Sequence, residues 1–220
     1  MRLENHLDRN AIGHLLAAAR VDAWGVAANA PRLPLAPELP RAISILMHLR
    51  PAALAGLAFG PSRAYFDEYT RLNEALAHAA HALADELQSH GHQAIVVPPT
   101  GSDRNYFPHK TAATSAGLGW IGKTALFVSE AFGPSVRLAT VFTDLELTPG
   151  SPIQDGRCED CTACVTACPV GAGKDVTWRA GMSLDELLAV DACRGHLRRY
   201  EEFGRICGVC IGACPLSRSN

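Results

Sequence analysis

Eight cysteines, the full complement of this 220-residue chain, fall in its last third and constrain the fold more than any other feature. Two sets share a spacing that closes on Cys-Pro. The first set, from Cys158 to Pro169, reads CxxCxxCxxxCP, and the second, from Cys207 to Pro215, reads CxxCxxxCP. Cys193 lies upstream of the second set and brings it to four. Because Cys-x-x-Cys turns place successive sulfurs on one side of a tight loop, the spacing predicts thiols that converge on a small volume.

This spacing is typical of bacterial ferredoxins, in which four cysteines hold a [4Fe-4S] cluster. In two-cluster ferredoxins the cysteine before the proline ligates the other cluster, so the two sets exchange one ligand each. The first predicted cluster is held by Cys158, Cys161, Cys164 and Cys214. The second predicted cluster is held by Cys168, Cys193, Cys207 and Cys210.

Disulfides and structural zinc are the alternative uses of eight cysteines. Disulfides suit small secreted chains, but the first ten residues, MRLENHLDRN, contain no apolar signal segment, so a reducing cytoplasm is expected. Zinc sites also use Cys-x-x-Cys pairs, but they require neither a third Cys-x-x-Cys step nor Cys-Pro at both ends. The spacing therefore favours clusters over both alternatives.

Composition limits the partners of the chain. It is 48% hydrophobic without an apolar run of membrane length, which predicts one sizeable core, a small cluster module and no membrane span. A formal net charge of −2 gives no general attraction to nucleic acid or anionic lipid. A cationic stretch follows Cys193, and it either compensates the negative charge of a cluster or docks an acidic electron donor. It contains Arg194, His196, Arg198, Arg199 and Arg205.

Hydrophobic periodicity predicts alternating helices and strands in the first 147 residues. We expect helices over residues 5–19 and 62–90, and strands over residues 24–28, 43–49 and 94–97. Residues 125–128 and 136–142 are then predicted to form a hairpin through Gly133-Pro134. Strands joined by a tight turn are not parallel neighbours, so a fully parallel doubly wound sheet is not expected.

The predicted fold class is therefore α+β. Residues 1–147 are expected to form a mixed sheet with helices that holds a cofactor or substrate. Residues 148–220 are expected to form a ferredoxin-like domain with two [4Fe-4S] clusters.

The segment GLGWIGKT, residues 117–124, matches both the GxGxxG pattern of dinucleotide sites and the GxxxxGKT pattern of phosphate-binding loops. Both patterns need a strand before the glycines and a helix after them, because they point a helix N-terminus at phosphate. Here residues 110–116 are predicted to be helical and residues 125–128 to be a strand. This inverted order disfavours a nucleotide triphosphatase.

The string AGLGWIGK at residues 116–123, the strand LATVFTD at residues 138–144 and the two cysteine sets occur in the same order in the epoxyqueuosine reductase family, which the chain resembles. The likeness covers residues 10–215. The resemblance implies a short form that stops at Asn220 and is expected to lack the family's C-terminal helical repeats, which help to hold transfer RNA.

The resemblance implies an N-terminal domain that cradles a corrinoid, cobalamin, against the double-cluster domain, as in reductive dehalogenases. Glycines would allow close approach of the large cofactor, lysines would meet its phosphate or propionamide groups, and a tryptophan would line its flat face. Large aromatic residues are, however, more often core residues. The implied cofactor-binding residues are Lys110, Gly117, Gly119, Trp120, Gly122 and Lys123.

Two residues are candidate proton donors. By its distance from the glycine segment, Asp103 matches the family's proposed acidic donor, but its neighbours Arg104 and Asn105 depart from the family pattern. His109 is a second candidate, because histidine titrates near neutrality. The alternatives are that Asp103 is a turn residue and that His109 is a structural residue at a helix start.

These predictions describe an iron-sulfur oxidoreductase that passes electrons through two clusters to a corrinoid or a small-molecule substrate. The alternative is an electron-transfer module that feeds a partner reductase and has no substrate of its own. Modification of transfer RNA ranks third, and nucleic acid and membrane are not expected partners. The expected electron donor is a ferredoxin or flavodoxin in the cytoplasm.

Overall fold

The computed structural model describes residues 7–28, 39–99 and 109–217. The helices are α1 Arg9–Ala18, α2 Pro51–Leu54, α3 Arg63–Ser89, α4 His109–Ser115, α5 Ala163–Thr166, α6 Leu184–Leu187, α7 Val190–Leu197 and α8 Val209–Gly212. The strands are β1 Ala23–Ala27, β2 Arg41–His48, β3 Ala94–Val97, β4 Gly119–Ile121, β5 Phe127–Ser129 and β6 Val136–Thr143. Short 3-10 helices cover Leu57–Phe59 and Arg198–Phe203.

The long helix α3 shows why the periodicity was informative. Its first turn is capped by Ser62, whose Oγ accepts a hydrogen bond from the Tyr65 N–H at 3.2 Å. Its apolar stripe is buried, and Leu76 and Leu83 have no exposed surface. The helix ends where Gly91 adopts a φ of +84° and the His92 N–H bonds back to the carbonyl of Leu87 at 3.0 Å.

Four strands form the main sheet, in the order β1-β2-β6-β3. Strands β1 and β2 are antiparallel, with Val26 opposite Ile43, and β3 and β6 are antiparallel, with Val96 opposite Val141. The predicted α+β class is confirmed, and the sheet is not fully parallel.

The predicted hairpin between residues 125–128 and 136–142 is wrong. Strand β5 pairs instead with β4, and β6 lies in the other sheet between β2 and β3. The turn at Gly133 does form, with Ser129 and Gly133 exchanging two backbone hydrogen bonds at 2.8 and 3.0 Å. Pairing does not continue beyond it, because the three-residue strand β4, which periodicity did not reveal, pairs with β5.

The chain forms two compact units made of interleaved segments. The first contains residues 1–47, 73–118 and 137–152, and the second contains residues 48–72, 119–136 and 153–220. In the first, Phe142 of β6 packs in one cluster with Val97 of β3 and Ala112 of α4. In the second, Trp120 packs with Trp178 and Leu187. The predicted domain boundary after residue 147 stays a prediction.

No helix in the described ranges combines the length and the apolar character that crossing a bilayer requires.

A buried carboxylate anchors the start of α3 within the second unit. Glu68 is 2% exposed and binds the guanidinium groups of Arg50 and Arg71, with three N–O distances of 2.8 Å. The backbone N–H of Arg50 donates to the same carboxylate at 3.0 Å. Burial raises the pKa of Glu68, but the hydrogen bonds from Arg71 and Arg50 outweigh it and lower the pKa to about 2.

We expect Glu68→Gln to lower the free energy of unfolding at pH 7 by about 2 kcal/mol, because it removes charge-assisted hydrogen bonds from a buried site. Because the folded pKa lies below the ordinary value, this contribution is complete above pH 4.5 and is lost as the pH falls toward 2. Urea unfolding at pH 7 and pH 4 measures both effects.

Asp67→Asn is the matched control. Asp67 precedes Glu68 on the same helix, and the change breaks an exposed ion pair between Asp67 and Arg63. That change should cost no more than about 0.5 kcal/mol. Equal losses in the two variants would contradict a structural role for the buried carboxylate.

Candidate metal centre

All eight cysteines are free thiols, and all lie in the second compact unit. In the first set, the Cys161 N–H bonds to the Cys158 carbonyl at 2.9 Å, and Cys164 lies on the single-turn helix α5. The second set repeats this local structure, with Cys210 on the single-turn helix α8. Helices α5 and α8 contact each other, so the two sets meet through corresponding turns.

The neighbours of Cys214 belong to the first set. Burial raises the pKa of the Cys214 thiol, and the neighbouring sulfurs of Cys164, Cys158 and Cys161 raise it further. The pKa of Cys164 is likewise raised by burial and by Cys158 and Cys161. These four cysteines are therefore electrostatic neighbours, although Cys214 comes fifty residues after the others along the chain.

Cys168 has the complementary environment. Burial, then Cys207 and Cys168, raise the pKa of Cys210 to about 12. The pKa of Cys207 is raised by burial and by Cys168. Cys193 lies on α7, outside both sets, as the fourth ligand that the spacing predicts for this group. The exchange of Cys168 and Cys214 between the clusters stays a prediction, and this grouping supports it.

Backbone donors surround the sulfurs. The Ala172 N–H donates to Cys168 Sγ at 3.3 Å, and the backbone groups of Val209 and Leu216 donate to Cys207 and Cys214. Such bonds stabilise thiolates and are one means by which proteins tune iron-sulfur clusters. Among the described residues no three His, Cys, Asp or Glu side chains converge on a single metal ion. A cubane does not need that convergence, because its four thiolates bind four different irons. Seven of the eight thiols fall into two groups by their neighbours, and Cys193 lies on α7. Two groups of thiols with N–H donors beside them fit two cubanes.

The glycine segment is the tip of a β-hairpin. Helix α4 precedes the glycines and strand β5 follows them, which confirms the inverted order predicted for this segment. The tip is closed by a hydrogen bond from the Gly122 N–H to the Leu126 carbonyl at 2.8 Å, with Ala125 at a φ of +59°. No helix N-terminus follows the glycines, so the segment is not a phosphate-binding loop.

This hairpin tip reaches the first cysteine set. A Cβ placed on Gly122 would lie 3.6 Å from Cys158 Sγ, and the Thr124 side chain forms a hydrogen bond with Cys164. Gly173 packs against the Thr124 methyl group, where a Cβ would lie at 3.0 Å. The segment therefore forms one wall of the predicted first cluster.

Lys123 of the same tip is buried and paired. Its Nζ lies 2.8 Å from Asp175 Oδ1, and its side chain is only 6% exposed. The hydrogen bond to Asp175 raises the pKa of Lys123, whereas burial lowers it. The charges of Asp175, Cys158 and Asp160 raise it further. The ammonium is therefore charged, and the thiol of Cys158 is among the groups that act on its charge.

The other predicted cofactor contacts are occupied by the protein itself. A Cβ on Gly117, which has a φ of +78°, would lie 2.6 Å from the Ser151 carbonyl oxygen, and one on Gly119 would lie 2.0 Å from that of Val128. Trp120 is 6% exposed within the core of the second unit. The close backbone approach at the glycines is thus to the chain's own backbone, and their role in binding a corrinoid stays a prediction, as does that of Lys110.

His109 begins α4, and both of its ring nitrogens are engaged. Nδ1 lies 2.8 Å from Thr140 Oγ1, and Nε2 lies 3.0 Å from the Pro98 carbonyl oxygen. The pKa of His109 is lowered to about 4, mainly by burial. The hydrogen bond to Pro98 raises this pKa, and the charge of Arg137 lowers it slightly. This geometry favours the structural interpretation of His109. Asp103 lies outside the described residues, and its role as proton donor stays a prediction.

Two residues of the centre, Thr124 and Asp175, were not predicted from the sequence. Thr124 was part of the quoted motif, but a hydroxyl beside a glycine and a lysine gave no sign that it would meet a cysteine. Asp175 is one of many acidic residues and lies far along the chain from Lys123, so only folding reveals the pair.

Two curated relatives are similar in sequence to part of the chain. The tetrachloroethene reductive dehalogenase of Sulfurospirillum multivorans is 33% identical over 120 residues, 49% of this chain and 23% of that protein. The epoxyqueuosine reductase of Escherichia coli (strain K12) is 30% identical over 143 residues, 63% of this chain and 37% of that protein. The predicted resemblance to the epoxyqueuosine reductase family is confirmed. No family model matches the chain.

Solved structures show the same fold. A catabolic reductive dehalogenase in complex with 3-bromo-4-hydroxybenzoic acid superposes with a TM-score of 0.76 at 20% identity, over 97% of this chain and 32% of that one. An epoxyqueuosine reductase with a tRNA-Tyr stem loop gives 0.61 at 22% identity, over 94% of this chain and 65% of that one. The curated relatives are longer proteins, and the chain spans less than two fifths of their length.

His109→Gln tests the structural interpretation of this residue. Because the folded pKa lies below the ordinary value of 6.5, the unfolded chain binds a proton that the folded chain does not, and stability falls as the pH drops from 6.5 toward 4. Glutamine does not titrate, so the variant should lose about 2 kcal/mol less stability than the wild type between pH 7 and pH 5.

Urea unfolding at the two pH values measures this difference, with His14→Gln on the exposed side of α1 as the matched control. If His109→Gln retained the full pH dependence of the wild type, the interpretation of His109 as a neutral structural residue would be contradicted.

Proposed function

We propose that the chain is an iron-sulfur reductase that passes electrons through two [4Fe-4S] clusters to a bound acceptor. The observation that carries this proposal is the electrostatic grouping of the cysteines, in which Cys214 joins the first set and Cys168 joins the second. That grouping is the exchange expected of a two-cluster ferredoxin module. Relatives of the chain that are named reductases support the proposal that the acceptor is reduced.

The two clusters would supply storage and transfer of single electrons. The protein would contribute eight thiolate ligands, of which Cys164, Cys193 and Cys210 lie on α5, α7 and α8 and the others on the adjoining segments. Cys164 of the first group is also an electrostatic neighbour of Cys210 in the second group. This proximity supports transfer between the clusters without an intermediate carrier.

An external donor is proposed to reach the first cluster. Of the eight cysteines, Cys161 is the exposed one, whereas the other seven are partly buried. An electron arriving from a ferredoxin or flavodoxin would therefore enter beside Cys161. The other group, whose thiols are all partly buried, would hold the cluster that lies further from solvent.

A corrinoid acceptor is proposed from the relationship to the reductases. The described contacts do not build a corrinoid cradle, because the predicted glycines pack on the chain's own backbone and Lys123 is paired with Asp175. A small-molecule acceptor is the other form of the proposal. No step of the electron path within the cysteine unit depends on which acceptor is correct.

The geometry of His109 favours a second candidate, an electron-transfer module without a substrate of its own. Both nitrogens of this proposed donor are engaged, and the imidazole is neutral at physiological pH. A protein that only relays electrons needs no proton donor. In that case a partner reductase would receive the electrons.

Anaerobic reconstitution with iron and sulfide should give about eight iron atoms per chain. Cys214→Ala should remove about four of them, because one cluster loses a ligand, and Cys158→Ala should remove the same four. The double variant Cys158→Ala/Cys214→Ala should then lose no more than either single variant. By contrast, Cys158→Ala/Cys168→Ala should lose all of the iron.

Iron analysis with electron paramagnetic resonance of the reduced proteins checks these counts. Thr162→Ala, which changes a residue between two ligands without removing a thiol, is the control for local disturbance. Additive losses from Cys158 and Cys214 would show that they belong to different clusters, and zinc in place of iron would overturn the proposed function.

Titration of the reconstituted protein with hydroxocobalamin tests the corrinoid form of the proposal. A corrinoid-dependent reductase should bind one equivalent and perturb the cobalt absorption bands, because its acceptor site is part of the chain. Unchanged spectra and no retention of cobalt on gel filtration would exclude the corrinoid form and leave either a small-molecule acceptor or the relay.

A further inference from the structure

Lys123 is a feature of the second unit that the electron path leaves unexplained. A buried ammonium is costly unless it is paired, and this one is 6% exposed. Its partner Asp175 is 48% exposed, so the pair has one buried and one solvated member. A purely structural role for the ion pair does not explain why its cation is buried near thiols.

The surroundings of Lys123 are those of the first cysteine set. Cys158 and Asp160 act on its charge alongside Asp175. The residue before it, Gly122, lies against Cys158 Sγ, and the residue after it, Thr124, forms a hydrogen bond with Cys164. Three consecutive residues of the hairpin tip thus face two ligands of one proposed cluster.

We propose that Lys123, Asp175 and Thr124 together set the reduction potential of the cluster held by Cys158, Cys161, Cys164 and Cys214. This inference rests on the proposed function, since it assumes that a cluster occupies that group. Lys123 and Asp175 are positioning residues that act on the cluster by their charge, and Thr124 acts by its hydroxyl.

The direction of each effect follows from electrostatics. Reduction adds one electron to a cluster that is already negatively charged, and no bond forms or breaks. A buried ammonium stabilises the added charge and raises the potential, whereas a carboxylate lowers it. A hydroxyl that donates to a ligand sulfur also favours the reduced form.

Removing the positive charge of Lys123 and removing the negative charge of Asp175 should therefore shift the potential in opposite directions. Lys123→Met should lower the midpoint potential of the first cluster, and Asp175→Asn should raise it. The first shift should be the larger, because Lys123 is buried and Asp175 is half exposed to screening water. Thr124→Val keeps the side-chain shape, removes the hydroxyl and should lower the potential.

The experiment is a dithionite titration of the anaerobically reconstituted full chain, followed by electron paramagnetic resonance. Lys174→Met is the matched control, because it removes a lysine charge from an exposed position in the same loop as Asp175. The second cluster serves as an internal control, and its midpoint should remain unchanged. The double variant Lys123→Met/Asp175→Asn should return the first midpoint toward the wild-type value.

Shifts of the same sign in Lys123→Met and Asp175→Asn, or no shift in either with full iron content, would overturn the inference. If Lys123→Met failed to assemble its cluster, Asp175→Asn would still decide, because a midpoint that did not rise would contradict the proposal. Failure of the wild-type chain to assemble any cluster would instead reject the proposed function.

Discussion

The convergence of thiols from two distant stretches of chain is the constraint on which the second unit depends. Each cysteine set supplies a turn and a single-turn helix, neither of which is stable alone. The contact between α5 and α8 brings Cys214 to the first set and Cys168 to the second. Because each predicted cluster takes one ligand from the other set, the two halves are expected to fold together, and a bound cluster would couple its binding energy to that folding.

The hairpin tip at residues 122–124 shows how one local motif can serve an unexpected partner. In a phosphate-binding loop, glycine, lysine and threonine face an anion at a helix N-terminus. Here the same residue types face thiols, with Gly122 allowing close approach, Lys123 supplying charge and Thr124 supplying a hydrogen bond. The residue types fit because a cluster with four thiolates is also an anion.

The sequence predicted those elements whose signal is local. Helix α3 followed from its apolar spacing, from Ser62 at its start and from Gly91 at its end. Strand β3 matched its predicted bounds. The hairpin failed because strand pairing is a choice between non-local partners: β5 pairs with the three-residue strand β4, which is too short to show a period. The interleaving of the two units is non-local for the same reason.

By itself, the sequence determined the number and spacing of the thiols, the α+β character and the resemblance to the epoxyqueuosine reductase family, because each is carried by residue types and spacings that can be read along the chain. Tertiary structure alone decided that Lys123 pairs with Asp175, that Thr124 meets Cys164 and that both ring nitrogens of His109 are engaged. These contacts join residues that lie between 11 and 52 positions apart along the chain. Their energy depends on burial and distance, which no spacing pattern records.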